Sequence, residues 1–291
     1  MSNIVSVIIP VYNRDRSVDI AIRSVIEQQY RDIEIIVVDD GSMPPLELSN
    51  DLMSDSRIKL VRLDKNKGPS AARNAGVRAS SGEWLAWLDS DDIWYPQKLS
   101  LQMSFLDKLG AKRNMMALAT GFEYAHSSGL RDRRIPVSSA DPLFFFAGCW
   151  FCPGSTVMIH RSLFDKIGPY DETMRRLEDV DWFIRLVLAG GCLDVVPQIM
   201  ATISLGQKPR YLTVKCAGDD ILVKYKNLSQ DQERSKSAMN NLMSYLHLEY
   251  AASAFKRERC FIKGTYHLAA SLLRHPRTHL PIYPFWNDSN N

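Results

Sequence analysis

Cysteine is scarce in this chain, an excess of one charge sign is missing, and no long apolar run is present. Each absence narrows what the protein can be. Five cysteines in 291 residues, odd in number and mostly scattered, cannot build the disulfide framework of a small secreted domain and suit the reducing cytoplasm. Cys149 and Cys152 have C-x-x-C spacing, but no second pair completes a zinc site, and the intervening Trp150 and Phe151 favour burial over redox chemistry. No run of roughly eighteen apolar residues occurs, so a spanning helix is not expected. Met1-Ser2-Asn3 leads into a short apolar run without the basic segment or cleavage site of a signal peptide. With 15 Gly and 14 Pro, the chain is neither collagen-like nor low-complexity. A formal charge of +3, from 36 basic and 33 acidic side chains, asks for no nucleic acid partner.

What is there is a 45% hydrophobic chain long enough to bury a large core. Its charge is uneven. Residues 1–202 hold 23 basic and 26 acidic side chains, and residues 203–291 hold 13 and 7. The body is therefore about −3 and the tail about +6, an asymmetry that separates two regions.

The first hundred residues alternate between β-rich and helix-like segments. Val5–Ile9 is β-branched and ends at Pro10, Ile33–Val38 ends at Asp39-Asp40-Gly41-Ser42, and Glu83–Leu88 ends at Asp89-Ser90-Asp91-Asp92. Another strand is expected over Ile58–Leu63. Between these runs lie an apolar stripe over Ser17–Gln29 and a segment opened by Pro69, a favoured first-turn residue; Pro96 opens a further helix. Strand, helix, strand, helix in this rhythm predicts a mostly parallel sheet covered on both faces. The pattern weakens after residue 110. Met115–Tyr124 and Thr156–His160 read as strands, residues 126–136 as a polar basic loop, Leu177–Ala189 as a helix, and the chain beyond about residue 217 as helical without a convincing strand.

Both acidic clusters fall at the carboxyl ends of expected strands, where open α/β sheets bind ligands. Asp39-Asp40-Gly41-Ser42 alone could equally be a turn or a helix cap. Two clusters on one edge point to a ligand. Carboxylates spaced D-x-D can reach one hard cation together, and Mg²⁺ or Mn²⁺ held this way commonly bridges to substrate phosphates. The bland alternative is a solvated acidic turn.

Five blocks in order extend this reading: Val5–Asn13, Glu34–Ser42, Asn66–Gly76, Gly82–Asp92, and Ile167–Glu172 with Glu178–Trp182. Together they strongly resemble the family 2 glycosyltransferases, over roughly residues 4–200. The resemblance implies an α/β GT-A (Rossmann-like) fold and a catalytic domain over 1–205, leaving 206–291 as a C-terminal helical appendage. It implies that Pro10, Tyr12 and Asn13 line a nucleotide pocket with Tyr12 stacked on the base, and that Asp40, with Asp39 beside it, accepts a hydrogen bond from the base. It further implies that Asp91 and Asp89 hold a divalent metal, Mn²⁺ or Mg²⁺, and that Asp89 also lies near the ribose. Asp92 would support the site from behind its ligands or orient the donor sugar, and Arg73 and Asn74 would reach the donor or bond back to the acidic loops. Asp179 matches the catalytic base, with Glu178 as runner-up. A carboxylate there can take the acceptor's proton as its hydroxyl attacks. Asp181 reads instead as a partner for Arg185, four residues on.

Several relatives carry a His downstream of the base as an extra metal ligand, and residues 201–207 contain none. His160 reads as packing or capping the next helix. Arg131–Arg134 could bind an acceptor phosphate or form a solvated loop. Leu143–Phe146 with Trp150 and Phe151 could stack sugars or simply fill a core. Basic residues from Lys256 to Arg277, flanking Leu268–Leu273 and preceding residues 282–286, suit either peripheral contact with anionic lipid at the inner membrane face or a helical appendage on the catalytic domain.

The expected activity is inverting, metal-dependent transfer of a sugar from a nucleotide-sugar donor, a UDP-sugar by resemblance, to a glycan or lipid-linked acceptor in surface polysaccharide biosynthesis. The alternatives are a sugar nucleotidyltransferase or a non-catalytic nucleotide-sugar-binding relative.

Overall fold

The computed structural model describes residues 3–14, 16–125, 131–149, 152–206, 209–226, 232–275 and 286–287. Its first half winds as the periodicity predicts, with one short helix, α2, that was not expected: β1 (Val5–Val11), α1 (Arg16–Ile26), β2 (Ile33–Asp39), α2 (Asn50–Met53), β3 (Ile58–Arg62), α3 (Pro69–Ala79) and β4 (Trp84–Trp87). These four strands are parallel, in the order β4-β1-β2-β3. Alternate side chains of each strand feed opposite faces. Val5, Val7 and Ile9 of β1 and Ile35 and Val37 of β2 meet Val18, Ile22 and Val25 of α1. Ile8, Ile36 and Val38 meet Ala72 and Ala75 of α3 on the other face. Helix α3 lies so close that a Cβ on Gly76 would stand 2.4 Å from Ile8, which requires glycine there.

The chain continues with β5 (Ile93–Trp94), α4 (Lys98–Asp107), β6 (Met116–Ala125), β7 (Arg131–Pro136), α5 (Pro142–Phe146), β8 (Met158–His160), α6 (Arg161–Ile167), α7 (Glu178–Leu188) and β9 (Cys192–Ser204). Here the sheet becomes mixed: β8 is antiparallel to both β4 and β6, β7 is antiparallel to β6, and β9 runs parallel to β6 while pairing antiparallel with β5. Residues 131–136 are thus a strand, not the expected loop. Arg131 and Arg133 both reach Glu123 across the β6–β7 pair, so the charges that suggested solvation are cross-strand partners. The remainder of that expected loop, 126–130, lies outside the described residues, as do Trp150 and Phe151.

The C-terminal region forms α8 (Tyr211–Tyr225), α9 (Gln232–Lys256) and α10 (Phe261–Arg274). A two-residue strand, β10 (Trp286–Asn287), also pairs with β7, where no strand was expected; two residues are too short to carry a pattern. Val214 and Ile221 of α8 and Leu242 and Tyr245 of α9 pack with Phe146 of α5 and with Val180 and Ile184 of α7. Burying each such side chain contributes roughly 1.5–3 kcal/mol, so these helices are seated on the sheet-bearing body. Among the described residues no helix is long and apolar enough to cross a membrane.

Candidate active site

Two cavities meet at the N-terminus of α7. The larger, about 480 Å³, lies outside the carboxyl ends of β1, β2 and β4 and is lined by Pro10, Tyr12, Asp40, Arg73, Asp89, Asp91 and Glu178, all expected from sequence. Arg14, Asn66 and Arg175 also line it; Asn66 opens one of the five blocks, but no role was read for it, and no pattern marked the two arginines. Each lies on a loop among other polar residues and is brought to the cavity by the fold. Asp40 is buried, and its two carboxylate oxygens accept hydrogen bonds from the backbone N–H of Lys67 and Gly68, each at 2.8 Å. It therefore shapes the loop that enters α3 while facing the cavity. Burial raises its carboxyl above the usual range.

Arg73 organises the centre. Its side chain, 6% exposed, lies 3.1 Å from Asp89, 3.0 Å from Glu178 and 3.7 Å from Asp179. Helix α3 thus carries one guanidinium that joins the D-x-D turn to the carboxylates opening α7, as the reading of Arg73 as bonded back to the acidic loops anticipated. Asp91 lies 3.0 Å from Arg14. Among the described residues no group of three His, Cys, Asp or Glu is disposed to hold a metal. Asp89 and Asp91 nevertheless offer oxygen donors at an open cavity, the chemistry Mg²⁺ or Mn²⁺ takes when phosphates and water complete its shell.

Four expected residues line neither this cavity nor the second one at α7. Asp39, buried, accepts from the backbone N–H of Ser42 and Leu46 and pairs with Arg62. Burial pushes its carboxyl up, but these partners hold it below its ordinary value. Asn13 has φ +48, receives the Met43 N–H on its side chain and donates its own N–H to Ser42. Asn74 donates to the Tyr170 carbonyl and to Glu172 and accepts the Tyr170 N–H, clasping the segment before α7. Asp92 accepts from the Ser155 hydroxyl at 2.5 Å and from the Ser204 N–H at 2.8 Å. Burial, then the nearby Asp89 and Asp91, push its carboxyl up to about 8.

The second cavity, about 280 Å³, is lined by Glu178 and Asp179 together with Tyr124, Cys152, Tyr245 and Glu249. Glu178 therefore stands in the wall between the two. The turn into α7 is unusual: Leu177, buried, has φ +64, a left-handed conformation costing a non-glycine residue about 1–2 kcal/mol. Asp179 is pushed up to about 6, mainly by burial and further by Glu178 and Asp89, with Arg73 opposing. At 3.7 Å from Arg73 it lies beyond hydrogen-bond reach, whereas Glu178 is engaged at 3.0 Å.

Other readings are resolved by partners. Asp181 pairs with Arg185 at 2.9 Å and lies apart from both cavities. His160 accepts the Ser162 N–H as the cap of α6 and meets Trp84 edge-on. Phe144, Phe145 and Phe146 are buried in the core. Cys149 and Cys152 are free thiols pushed up by burial.

The sequence profile of Glycosyl transferase family 2 matches residues 6–168. An uncharacterized glycosyltransferase of Rickettsia typhi is 30% identical over 275 residues, 91% of this chain and 77% of that protein. The Escherichia coli UDP-Glc:alpha-D-GlcNAc-diphosphoundecaprenol beta-1,3-glucosyltransferase WfgD is 35% identical over 127 residues, covering 44% of this chain and only 49% of WfgD. Staphylococcus aureus TarS residues 1–349, solved with UDP-GlcNAc, superimposes with a TM-score of 0.58 at 14% identity, covering 91% of this chain and 90% of that one. The fold is that of the GT-A glycosyltransferases.

Proposed function

Because the chain belongs to glycosyl transferase family 2 and is a glycosyltransferase, we propose that the larger cavity takes a nucleotide-sugar donor, UDP-linked, and that the smaller one admits the acceptor. The carrying observation is the Arg73 bridge, which holds Asp89 and the Glu178–Asp179 pair on one guanidinium. A donor bound over Asp89 and Asp91 would thus present its anomeric carbon towards α7. Tyr12 stacks on the base and Asp40 accepts from it. Both line the cavity, and the complexes recorded for TarS with UDP and UDP-GlcNAc support this choice of donor.

Asp89 and Asp91 would hold Mn²⁺ or Mg²⁺, which when bound offsets the charge of the diphosphate. The side chains do the rest. Asp179 Oδ takes the proton of an acceptor hydroxyl entering from the smaller cavity. The acceptor oxygen bonds to the anomeric carbon as the bond to the diphosphate oxygen breaks, inverting the configuration. Arg14 and Arg175 face the departing nucleoside diphosphate with positive charge. An affinity near pH 6 suits Asp179 to the base role at neutral pH, where it is ionised. The acceptor is a glycan or a lipid-linked saccharide in polysaccharide biosynthesis, a choice supported by the name of WfgD. A lipid-linked acceptor would bring the enzyme to a bilayer, a contact that the basic excess of residues 203–291 suits. Residues 206–291 then act as the appendage that completes the acceptor side, through Tyr245 and Glu249.

The test is a panel of nucleotide sugars with and without chelator, followed by the anomeric configuration of the product by NMR. Metal-dependent turnover of one UDP-sugar with inversion is expected. Retention of configuration, or turnover unaffected by chelation, would remove the corresponding part of the reading.

A further inference from the structure

Helix α10 is inside out. It packs onto its neighbours through Gly264, His267, Ala270 and Ser271, which are buried. Gly264 is pressed so tightly that a Cβ would lie 2.4 Å from Phe255, and Ser271 exchanges hydrogen bonds with Ser244 of α9. Most of its bulky apolar side chains face away, Leu268 being half-buried. Ile262, Tyr266, Ala269 and Leu273 follow at helical spacing along one outer stripe, with Phe261 and Leu272 beside it. Ile262 is 86% and Leu273 83% exposed. A soluble helix normally buries such a stripe, and single exposed apolar residues would need no explanation, but a contiguous stripe does.

Beside this stripe, α8, α9 and α10 enclose a cavity of about 390 Å³. Three cations, Lys215, Lys263 and Arg274, line it against one carboxylate, Asp219. Lys215 pairs with Asp219, and Lys263 lies 3.6 Å from Glu258 at the rim. The walls are aromatic: Lys263 stands 5.1 Å over the Tyr211 ring and Lys215 5.8 Å over Tyr250. Tyr211, His267 and His247 form a hydrogen-bonded chain with 2.8 Å links. Three cations against one carboxylate leave the lining net positive, and burial, then these cations, lower both imidazoles, His247 to about 4, so the rings are neutral. The buried Tyr250 hydroxyl has no hydrogen-bond partner among the described residues. The site offers cations, donors and ring faces at the flank of an apolar ridge.

We propose that α10 is a membrane-docking element, its outer stripe lying in the interface of an anionic bilayer while the adjoining pocket receives the phosphate of a phospholipid headgroup. Charge complementarity selects this occupant: Lys256, Arg257 and Arg259 precede the helix, and Lys263 and Arg274 sit on its flank. An apolar stripe bordered by cations is the pattern by which helices lie on anionic lipid surfaces. The inference deepens the bilayer contact of the proposed function, and its test uses no sugar donor, so failure of either leaves the other distinguishable.

The full chain is sedimented with vesicles of phosphatidylcholine alone and of phosphatidylcholine with phosphatidylglycerol. Binding to the anionic vesicles is expected, and Ile262→Asp with Leu273→Asp should abolish it while circular dichroism stays unchanged, because both side chains are exposed. Lys263→Ala and Arg274→Ala should each weaken binding about fivefold. Lys256→Ala with Arg257→Ala, outside the pocket, should cost less than the pocket pair. Equal binding to both vesicle types, or indifference to the Asp substitutions, overturns the proposal. Equal losses from the two cation pairs would leave diffuse attraction and overturn the headgroup pocket. Binding of glucose 1-phosphate by calorimetry without vesicle binding would assign the pocket to a soluble phosphorylated saccharide instead.

Discussion

The cleft at the strand ends and the pocket among the C-terminal helices are opposites in charge and in construction. The cleft gathers carboxylates from the turn after β4 and the first turn of α7, far apart in sequence, and neutralises them with Arg73 and Arg14. The helical pocket gathers cations and rings that share three helices. A site at a sheet edge, anchored by helix α3 and the start of α7, can set two acids around one guanidinium at bonding distance. A site built on helix flanks presents a broader field, better matched to holding an anion than to transforming one. Charge alone therefore does not rank the two. The geometry around each charge does.

The comparison breaks most easily at Asp179. Asp179→Asn should lower sugar transfer roughly a thousandfold while calorimetric affinity for the donor stays within error; surviving transfer would move the base role to Glu178. Next is Arg73→Met, which strands buried or half-buried carboxylates and should cost about 3 kcal/mol or more in denaturant unfolding. A change below about 1 kcal/mol would mean that Asp89 and Glu178 find other partners. Asp91→Ala should weaken Mn²⁺-dependent binding of UDP about tenfold or more, and an unchanged calorimetric affinity would take the metal away from this residue. A smaller effect is the pH profile. Asp179 is raised to about 6, so its basic form, and with it kcat/KM for the acceptor, should fall as pH drops through 6 and level off above. A flat profile from pH 5 to 7 would separate catalysis from this group.

The smallest effect belongs to the helical pocket. His247 and His267 are lowered in the folded protein, so the unfolded chain binds protons there that the native one does not. Stability is complete above the unfolded value near 6.5 and is lost as pH falls towards 4. His247→Gln should flatten that part of the stability curve, read as thermal midpoint against pH.

Legibility in the sequence divides along the same line. The strand rhythm and the acidic ends of β2 and β4 were readable because a buried parallel strand is a continuous apolar run and the carboxylates stop it abruptly. Asp40, Asp89 and Asp91 drew attention for that reason, whereas Glu178 and Asp179, which open a helix, rested on the family resemblance alone. Asp39 and Asn74 could not be told from ligand-facing residues, since the groups that saturate them, Arg62 and Tyr170, lie 23 and 96 residues away. Arg14 and Arg175 carried no pattern. Strand β7 was hidden because Arg131 and Arg133 look solvated until Glu123 is placed opposite them. The helical character of the tail was plain, but a stripe of apolar residues reads as a buried face, and only the packing of Gly264 and Ser271 reveals that α10 turns it outward.

Helix α9 joins the two regions in a further way. Tyr245 and Glu249 border the cavity that contains Asp179, while His247 and Tyr250, between and beside them in sequence, border the helical pocket. The two cavities thus share one helical wall, about 10 Å through. If a ligand in one cavity shifts α9 and so changes the affinity of the other cavity by some factor, a ligand in the second must change the affinity of the first by that same factor, because such coupling is symmetric between binding equilibria. If anchoring and acceptor choice are linked in this enzyme, that reciprocity makes the linkage measurable from either end.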